Sequence, residues 1–353
     1  MSLEVYPPDF STRYEITHAI SIQMSIYYND VGKLQLVAVA DNYNIHALKK
    51  NSIIYDTEHG VTYLVVNVKC DTVENKITVN GYTTEYLLNK RVVASPAQVL
   101  NIESGVYDII NSNMRDMTRI STAPLKGLPE EFQPDDPETE DTDESVIYGG
   151  AVLDSITPVL EYGSLGRRMN WNPSTLSWEF EIFKGADLTT GIHSIAFAEE
   201  QGTCTKLVIN EDSSTFRNFA YITYKQRDNT ELLTTIGSAT GDDRFELWLN
   251  SSITQEENES ITQTRKRAVS FAQLEMGKYI NRQSFSVVVD ASELGTLYNI
   301  GDVVICSSVR FGVRFFARIT GVTYTMDITG EQTAVQLGDP ILTALGEMIL
   351  NNA

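Results

Sequence analysis

A set of short apolar strands occurs twice in this chain, once near each end, and this duplication constrains the fold more than any other feature. Leu36-Val37-Ala38-Val39-Ala40-Asp41 aligns with Phe285-Ser286-Val287-Val288-Val289-Asp290. Continued without a gap, the alignment sets Leu48 on Leu297 and Ile53-Ile54-Tyr55 on Asp302-Val303-Val304. The first copy then passes Gly60, an apolar strand from Val61 to Val68, a polar turn and Lys76-Ile77-Thr78-Val79-Asn80-Gly81. The second passes Gly312, a strand from Val313 to Ile319 and on to Tyr324, a turn and Thr333-Ala334-Val335-Gln336-Leu337-Gly338. A repeat of this size predicts two related small antiparallel β-barrels joined by α/β segments, an α+β and mainly β fold. Equivalent residues must then face equivalent interiors, because a slip by one residue turns every side chain of a strand to the other face.

Between and around the copies the apolar period changes. Ile16 through Ile26 alternates, Asn29-Asp30-Val31-Gly32 supplies turn chemistry, and Leu34 to Val39 alternates again, which predicts a hairpin. Thr83 or Thr84 can cap a short helix through Leu87 and Leu88, and Ser95-Pro96 is a cap-then-proline signal for a helix carrying Val99, Ile102, Val106, Ile109 and Ile110 on one face. Residues 129–145 hold three prolines, many carboxylates and almost no apolar side chain, so they predict a mobile surface loop. Asp141 and Asp143 within it lack the glycine and the closing Glu of a calcium loop. Strands are expected over Trp178–Phe183, Ser194–Ala198, Lys206–Asn210 and Asn218–Lys225. Thr254 with Glu257 then forms a capping box for a long helix toward Lys278. Asp339-Pro340 repeats the cap-then-proline signal before a C-terminal helix. The expected order is a first barrel over residues 1–93, an α/β middle region over 94–203, a second barrel over 204–339 with a helix inserted at 255–278, and the C-terminal helix over 340–353.

The 353 residues are too many for one compact core and suit two or three domains of roughly 100–200 residues. No run approaches the ~18 apolar residues of a spanning helix, and the N-terminal residues lack a secretion signal, so a soluble chain made in a cytoplasm is expected. A formal charge of −20 argues against a surface that grips phosphate, while leaving open a surface past which DNA slides. Cys70, Cys204 and Cys306 lie in or beside apolar strands, far apart, and read as buried free thiols.

No catalytic constellation stands out. His18, His46, His59 and His193 are scattered, and the glycine-rich segments 163–166 and 237–241 match neither a nucleophile elbow nor a phosphate loop. Glu179 and Glu181 flank Phe180 on a strand, so both should point to one wet face. Glu179, Glu181 or the acidic loop would be the source of carboxylates if the chain were a cell-wall hydrolase. Arg167-Arg168 with Trp171, Trp178 and Trp248 would serve a carbohydrate-binding module, although packing is the simpler use. Arg265-Lys266-Arg267 follows Glu256, Glu257 and Glu259, so charge pairing near the helix is expected. Catalytic, cofactor and metal residues are therefore expected to be absent.

Several segments together resemble the ReqiPepy6 Gp37-like family of siphophage tail proteins. They are Lys90-Arg91-Val92-Val93 after the leucine-bearing turn Gly81–Leu88, the strand Trp178–Phe183 running into Lys184-Gly185-Ala186-Asp187-Leu188-Thr189, and Gly301-Asp302-Val303-Val304 with Ala317–Val322. The resemblance spans nearly the whole chain. It implies a baseplate or tail-tip hub: two related β-barrels per chain, a homotrimer, and six barrels around a channel through which DNA passes without specific binding. Implied partners are the distal tail protein ring, the tail tube and tape-measure proteins, and receptor-binding or fibre proteins, at a virion tail tip assembled in the host cytoplasm. After Asn352 nothing remains for the peptidase-like or fibre-like extension of longer relatives, which puts a lytic role in doubt.

Overall fold

The computed structural model describes residues 2–95, 97–99, 101–128, 146–147, 149–204, 206–212, 214–257, 259–276, 279, 282–289 and 293–341. The proposed acidic loop with Asp141 and Asp143, Pro96, Asp290, Lys278 and the expected C-terminal helix from residue 342 onward lie outside them. The chain forms two compact units, residues 1–208 with 286–353, and residues 209–285.

The larger unit opens with β1 (Leu3–Tyr6), β2 (Tyr14–Glu15), β3 (Ala19–Tyr27) and β4 (Lys33–Val39). The short helix α1 (Asn42–Ala47) follows, capped by the Asp41 carboxylate accepting from Asn44 N–H, and then β5 (Ile53–Asp56), β6 (Val61–Asp71) and β7 (Lys76–Thr83). Burial alternates strictly along β4 and β7. In β4 the side chains of Leu34, Leu36 and Ala38 are buried, and in β7 those of Ile77 and Val79. The expected hairpin is β3–β4.

The middle region contains a 3-10 helix (Thr84–Lys90), β8 (Ala97–Gln98), α2 (Ile102–Met114), β9 (Ile120–Thr122), β10 (Val146–Ile147), α3 (Val152–Tyr162), β11 (Gly166–Asn172) and β12 (Ser177–Phe183). The Ser95-Pro96 signal does not start α2. Asn101 does, its side-chain oxygen accepting from Ser104 N–H at 3.1 Å, while Ala97–Gln98 is extended and pairs with β10. Strands β11, β12 and β9 form a small sheet, and its Trp171, Trp178 and Phe180 pack in one core with Ile102, Val106 and Ile109 of α2 and Ile156 and Leu160 of α3. Truncating Trp178 in such a core costs about 3–5 kcal/mol.

The chain next forms β13 (Ala196–Ala198) and β14 (Lys206–Asp212), the latter running into the smaller unit, which begins at residue 209. There β15 (Phe219–Lys225), β16 (Glu231–Ile236) and β17 (Glu246–Thr254) form a sheet ordered β16-β15-β17. Helix α4 (Ile261–Met276) covers it, with Ala268 and Ala272 against Ala220, Ile222 and Leu249. Two expectations are corrected here. Phe219–Lys225 is not a strand of the second cassette but the centre of this separate sheet. The helix does not begin at Thr254, which ends β17; its capping box is Ser260 with Gln263, whose N–H donates to Ser260 Oγ at 3.3 Å while Gln263 Oε1 accepts from Ser260 N–H at 2.8 Å. Both boxes satisfy the same sequence rule, and strand pairing of Lys225 with Thr254 decides between them.

The chain then forms β18 (Arg282–Val289), β19 (Val303–Ser308), β20 (Val313–Asp327) and β21 (Gly330–Ile341). Asp339-Pro340 does not cap a helix: β21 continues through it, with Ala317 opposite Pro340 and Phe316 opposite Ile341. Among the described residues both copies belong to one 13-stranded sheet, with the path β14-β18-β21-β20-β3-β4-β7-β6-β5-β1-β2 and β13 and β19 paired beside it. Hydrogen bonding runs from one copy into the other across β3 and β20.

Candidate assembly surface

The duplication is present in the strand order itself. The first copy is ordered β3-β4-β7-β6-β5 and the second β14-β18-β21-β20-β19, position for position. The gapless register is nevertheless one residue out. It places Leu48, 1% exposed, on Leu297, 54% exposed, whereas the adjacent Tyr298 is fully buried. It also places fully buried Ile54 on half-buried Val303, whereas Val304 is the fully buried neighbour. With Ile54 equivalent to Val304, their partners Tyr63 and Ala317 become equivalent, both fully buried. Val65 then matches Ile319, and each strand carries an irregularity in register just after it, between Val65 and Asn67 and between Ile319 and Gly321. Beyond these bulges Val68 opposite Val79 matches Val322 opposite Val335. A shared bulge at one place in two copies marks a common architecture, since bulges fix where a strand bends. The hairpin tips agree as well, Val73 and Ile328 both projecting into solvent.

The copies meet at a seam between β3 and β20, with Tyr27 opposite Gly321, Met24 opposite Tyr324 and Ile22 opposite Met326. A Cβ on Gly321 would collide with the Tyr27 ring. Tyr28 ends the seam: its N–H donates to Thr320 O at 2.9 Å and its hydroxyl to Ser164 O at 3.0 Å. The Arg318 guanidinium lies 5.2 Å from the Tyr28 ring centroid and donates to Gly301 O at 2.6 Å.

Two segments that carried the family resemblance come together. Gly185 lies so close to Gly301 that any Cβ would enter its carbonyl. Ala186 N–H donates to the Asp302 carboxylate at 2.7 Å, and Val303 N–H donates to Ala186 O at 2.9 Å. Glycine is required at both positions, Gly301 also because its φ is +97°.

The groups considered for chemistry are dispersed or occupied. Glu179 is exposed, but Glu181 is not on a wet face: it is 5% exposed and held by Lys126, by Arg168 Nε at 2.5 Å and by Asn170 Nδ2 at 2.8 Å. Burial alone would raise its carboxyl, and the hydrogen bonds from Arg168, Lys126 and Asn170 overcome this and hold it at about 2. It remains a carboxylate at every pH a general acid would need. Sequence reasoning also missed Glu103, a buried carboxylate accepting from the N–H groups of Lys126, Gly127 and Leu128. Its only signal was a charged residue beside the apolar face of α2.

Trp171 and Trp178 are core residues 4.7 Å apart between ring centroids, so of the three tryptophans Trp248 alone is exposed. His18 pairs with Asp41, His59 with buried Asp56, and His46 and His193 are exposed elsewhere. Among the described residues no three His, Cys, Asp or Glu side chains gather at a site able to hold a metal. Cys204 and Cys306 are buried, and burial pushes the Cys306 thiol far up; Cys70, expected to be buried, is exposed on β6. Arg267 pairs with Glu256 and Glu259 as expected, while Arg265 donates to Thr234. No described helix is long and apolar enough to cross a membrane.

The family profile described as Siphovirus ReqiPepy6 Gp37-like protein matches residues 2–339. Comparison with curated proteins found no match. Among solved structures, the tail protein from Neisseria meningitidis MC58 is similar with a TM-score of 0.59 at 9% identity, covering 96% of each chain. The 43 kDa tail protein of prophage MuSo2 from Shewanella oneidensis gives 0.59 at 13% identity over 96% of this chain and 98% of that one. Prophage tail protein gp18 from Listeria monocytogenes EGD-e gives 0.54 at 13% identity over 100% and 99%. At these identities the likeness is one of fold.

Proposed function

The chain belongs to the Siphovirus ReqiPepy6 Gp37-like family of phage tail proteins, and from that premise we propose that it is the structural hub of a tail tip or baseplate. Three copies form a ring that closes or continues the tail tube and anchors distal tail and receptor-binding proteins. The observation that carries this reading is the duplicated strand order joined by a single β3–β20 seam. Two equivalent cassettes per chain give three copies six equivalent faces, the number a threefold ring needs to meet a sixfold tube. In this reading each cassette serves as one of two related barrel units.

The role is mechanical and electrostatic, without catalysis. With a net charge of −20, the ring offers DNA a passage that repels it within about 8–10 Å at physiological salt and so does not retain it. Partners are further copies of the chain, the distal tail protein ring, the tail tube and tape-measure proteins, and receptor-binding or fibre proteins. The place of action is the virion tail tip, after assembly in the host cytoplasm. Mixing the purified protein with the distal tail ring of the same particle tests this: a complex of one threefold ring per sixfold ring is expected. Failure to bind that ring, or hydrolysis of peptidoglycan by the purified chain, contradicts the reading.

A further inference from the structure

In the smaller unit, helix α4 covers the sheet face that carries Ala220, Ile222 and Leu249. Alternation sends Tyr221 and Thr223 of β15, Leu233 and Thr235 of β16, and Trp248 and Asn250 of β17 to the opposite face. Register arranges them in two rows across the strands, Thr235 beside Tyr221 beside Trp248, and Leu233 beside Thr223 beside Asn250. Trp248 is 56% exposed there and Leu233 52%. Sheet faces that meet only water normally carry polar side chains, so an accessible aromatic row marks a surface for contact.

The rings are set in place before any ligand arrives. The Trp248 indole N–H donates to Asn250 Oδ1 at 2.8 Å, two residues along its own strand, which lays the indole along the sheet. The Tyr221 hydroxyl accepts from Arg244 at 2.7 Å, and the Arg244 guanidinium in turn lies 3.4 Å from the Phe219 ring centroid and pairs with Glu246 at 2.9 Å. Tyr221 and Trp248 end with planes 30° apart and centroids 6.0 Å apart, an offset pair that forms a shallow aromatic floor. Asn250 Oδ1 is engaged by Trp248 and Thr223, while its Nδ2 makes no hydrogen bond among the described residues. The strand ends and loop bordering the face add the exposed carboxylates of Glu231, Asp242, Asp243 and Glu246.

These features choose among the ligands that stack on aromatic rings. A nucleic acid or an anionic lipid surface would bring phosphates against the bordering carboxylates. A wholly apolar partner would bury the exposed Thr235 hydroxyl and Asn250 amide without returning their hydrogen bonds. A neutral sugar has C–H faces that pack on rings and hydroxyls at its rim that bond to amides and hydroxyls. We propose that this face binds a neutral oligosaccharide, with Trp248 and Tyr221 under the sugar rings and Asn250 and Thr235 bonding their hydroxyl groups. The site lies within one chain and does not depend on the number of copies in the ring.

Trp171 and Trp178 are buried in a core, so a ligand-dependent change of intrinsic fluorescence reports Trp248. The full chain is titrated with soluble tetramers of glucose, mannose, galactose and N-acetylglucosamine. A saturable change with at least one of them, unaltered by added salt, is expected. By calorimetry with the same tetramer, Trp248→Ala should weaken binding about tenfold or more, and Trp248→Phe should keep part of it, each melting close to the parent. No saturable change with any of these tetramers overturns the proposal, and so does binding that survives Trp248→Ala. A response to single-stranded oligothymidylate that falls steeply with salt assigns the face to nucleic acid and overturns it. Binding of the distal tail ring that Trp248→Ala abolishes assigns the face to protein and overturns it as well. None of these results decides the hub reading, which rests on the duplicated strand order.

Discussion

Gly185 and Gly301 bring two backbones together with no room for a Cβ, so Gly185→Ala must displace one of them. A loss of about 1–3 kcal/mol is expected, as for overpacked sites, measured by urea denaturation. Glu181 yields a second prediction. Its carboxyl is held at about 2, below an unfolded value near 4.3, so its contribution is fully present above that unfolded value and is lost as pH falls toward 2. Glu181→Gln should destabilise the protein at pH 7 by about 1–3 kcal/mol, the range for hydrogen bonds to charged groups, and flatten the acid limb of its stability curve. If the variant kept the parental acid limb, the assignment of that limb to Glu181 would be wrong. Neither feature was legible in the sequence. The glycines were visible as turn signals, but only the tertiary approach of two distant segments makes them obligatory. Alternation put Glu181 on a wet face because it cannot see Lys126, which arrives from 55 residues away.

At the scale of elements, periodicity identified the strands better than their partners. Alternation marks the hairpin β3–β4, β7 and Trp178–Phe183, while β5 and β6 follow from short apolar runs bounded by turn residues. Phe219–Lys225 was also legible as a strand, but its sheet was not, because the choice between β14-like and β16-like neighbours is made by long-range pairing. Register failed by one residue for a related reason: apolar runs such as Val303-Val304-Ile305 match equally well in two settings, and burial settles which is inward. Helix ends failed where two caps competed. The structure makes Ser260, not Thr254, the cap of α4, so Ser260→Ala should cost about 0.5–2 kcal/mol. Thr254→Ala should leave helix content unchanged, and circular dichroism with thermal melting distinguishes the two. The seam offers a fourth expectation. Gly321→Val places a branched side chain against Tyr27 and should weaken the junction of the two copies, seen as faster amide exchange across β3 and β20.

For the whole molecule the duplicated strand order was legible in the sequence, although the joining of both copies into one sheet was not. The first copy supplies β3, which pairs with β20 of the second. Ring formation is the central claim, and the mass and outline of the protein in solution test it most directly. Sedimentation with negative-stain imaging, on the protein alone and with its tail neighbours, should show a trimer with a central opening. A strict dimer, or a chain that stays monomeric when those neighbours are added, would contradict the account.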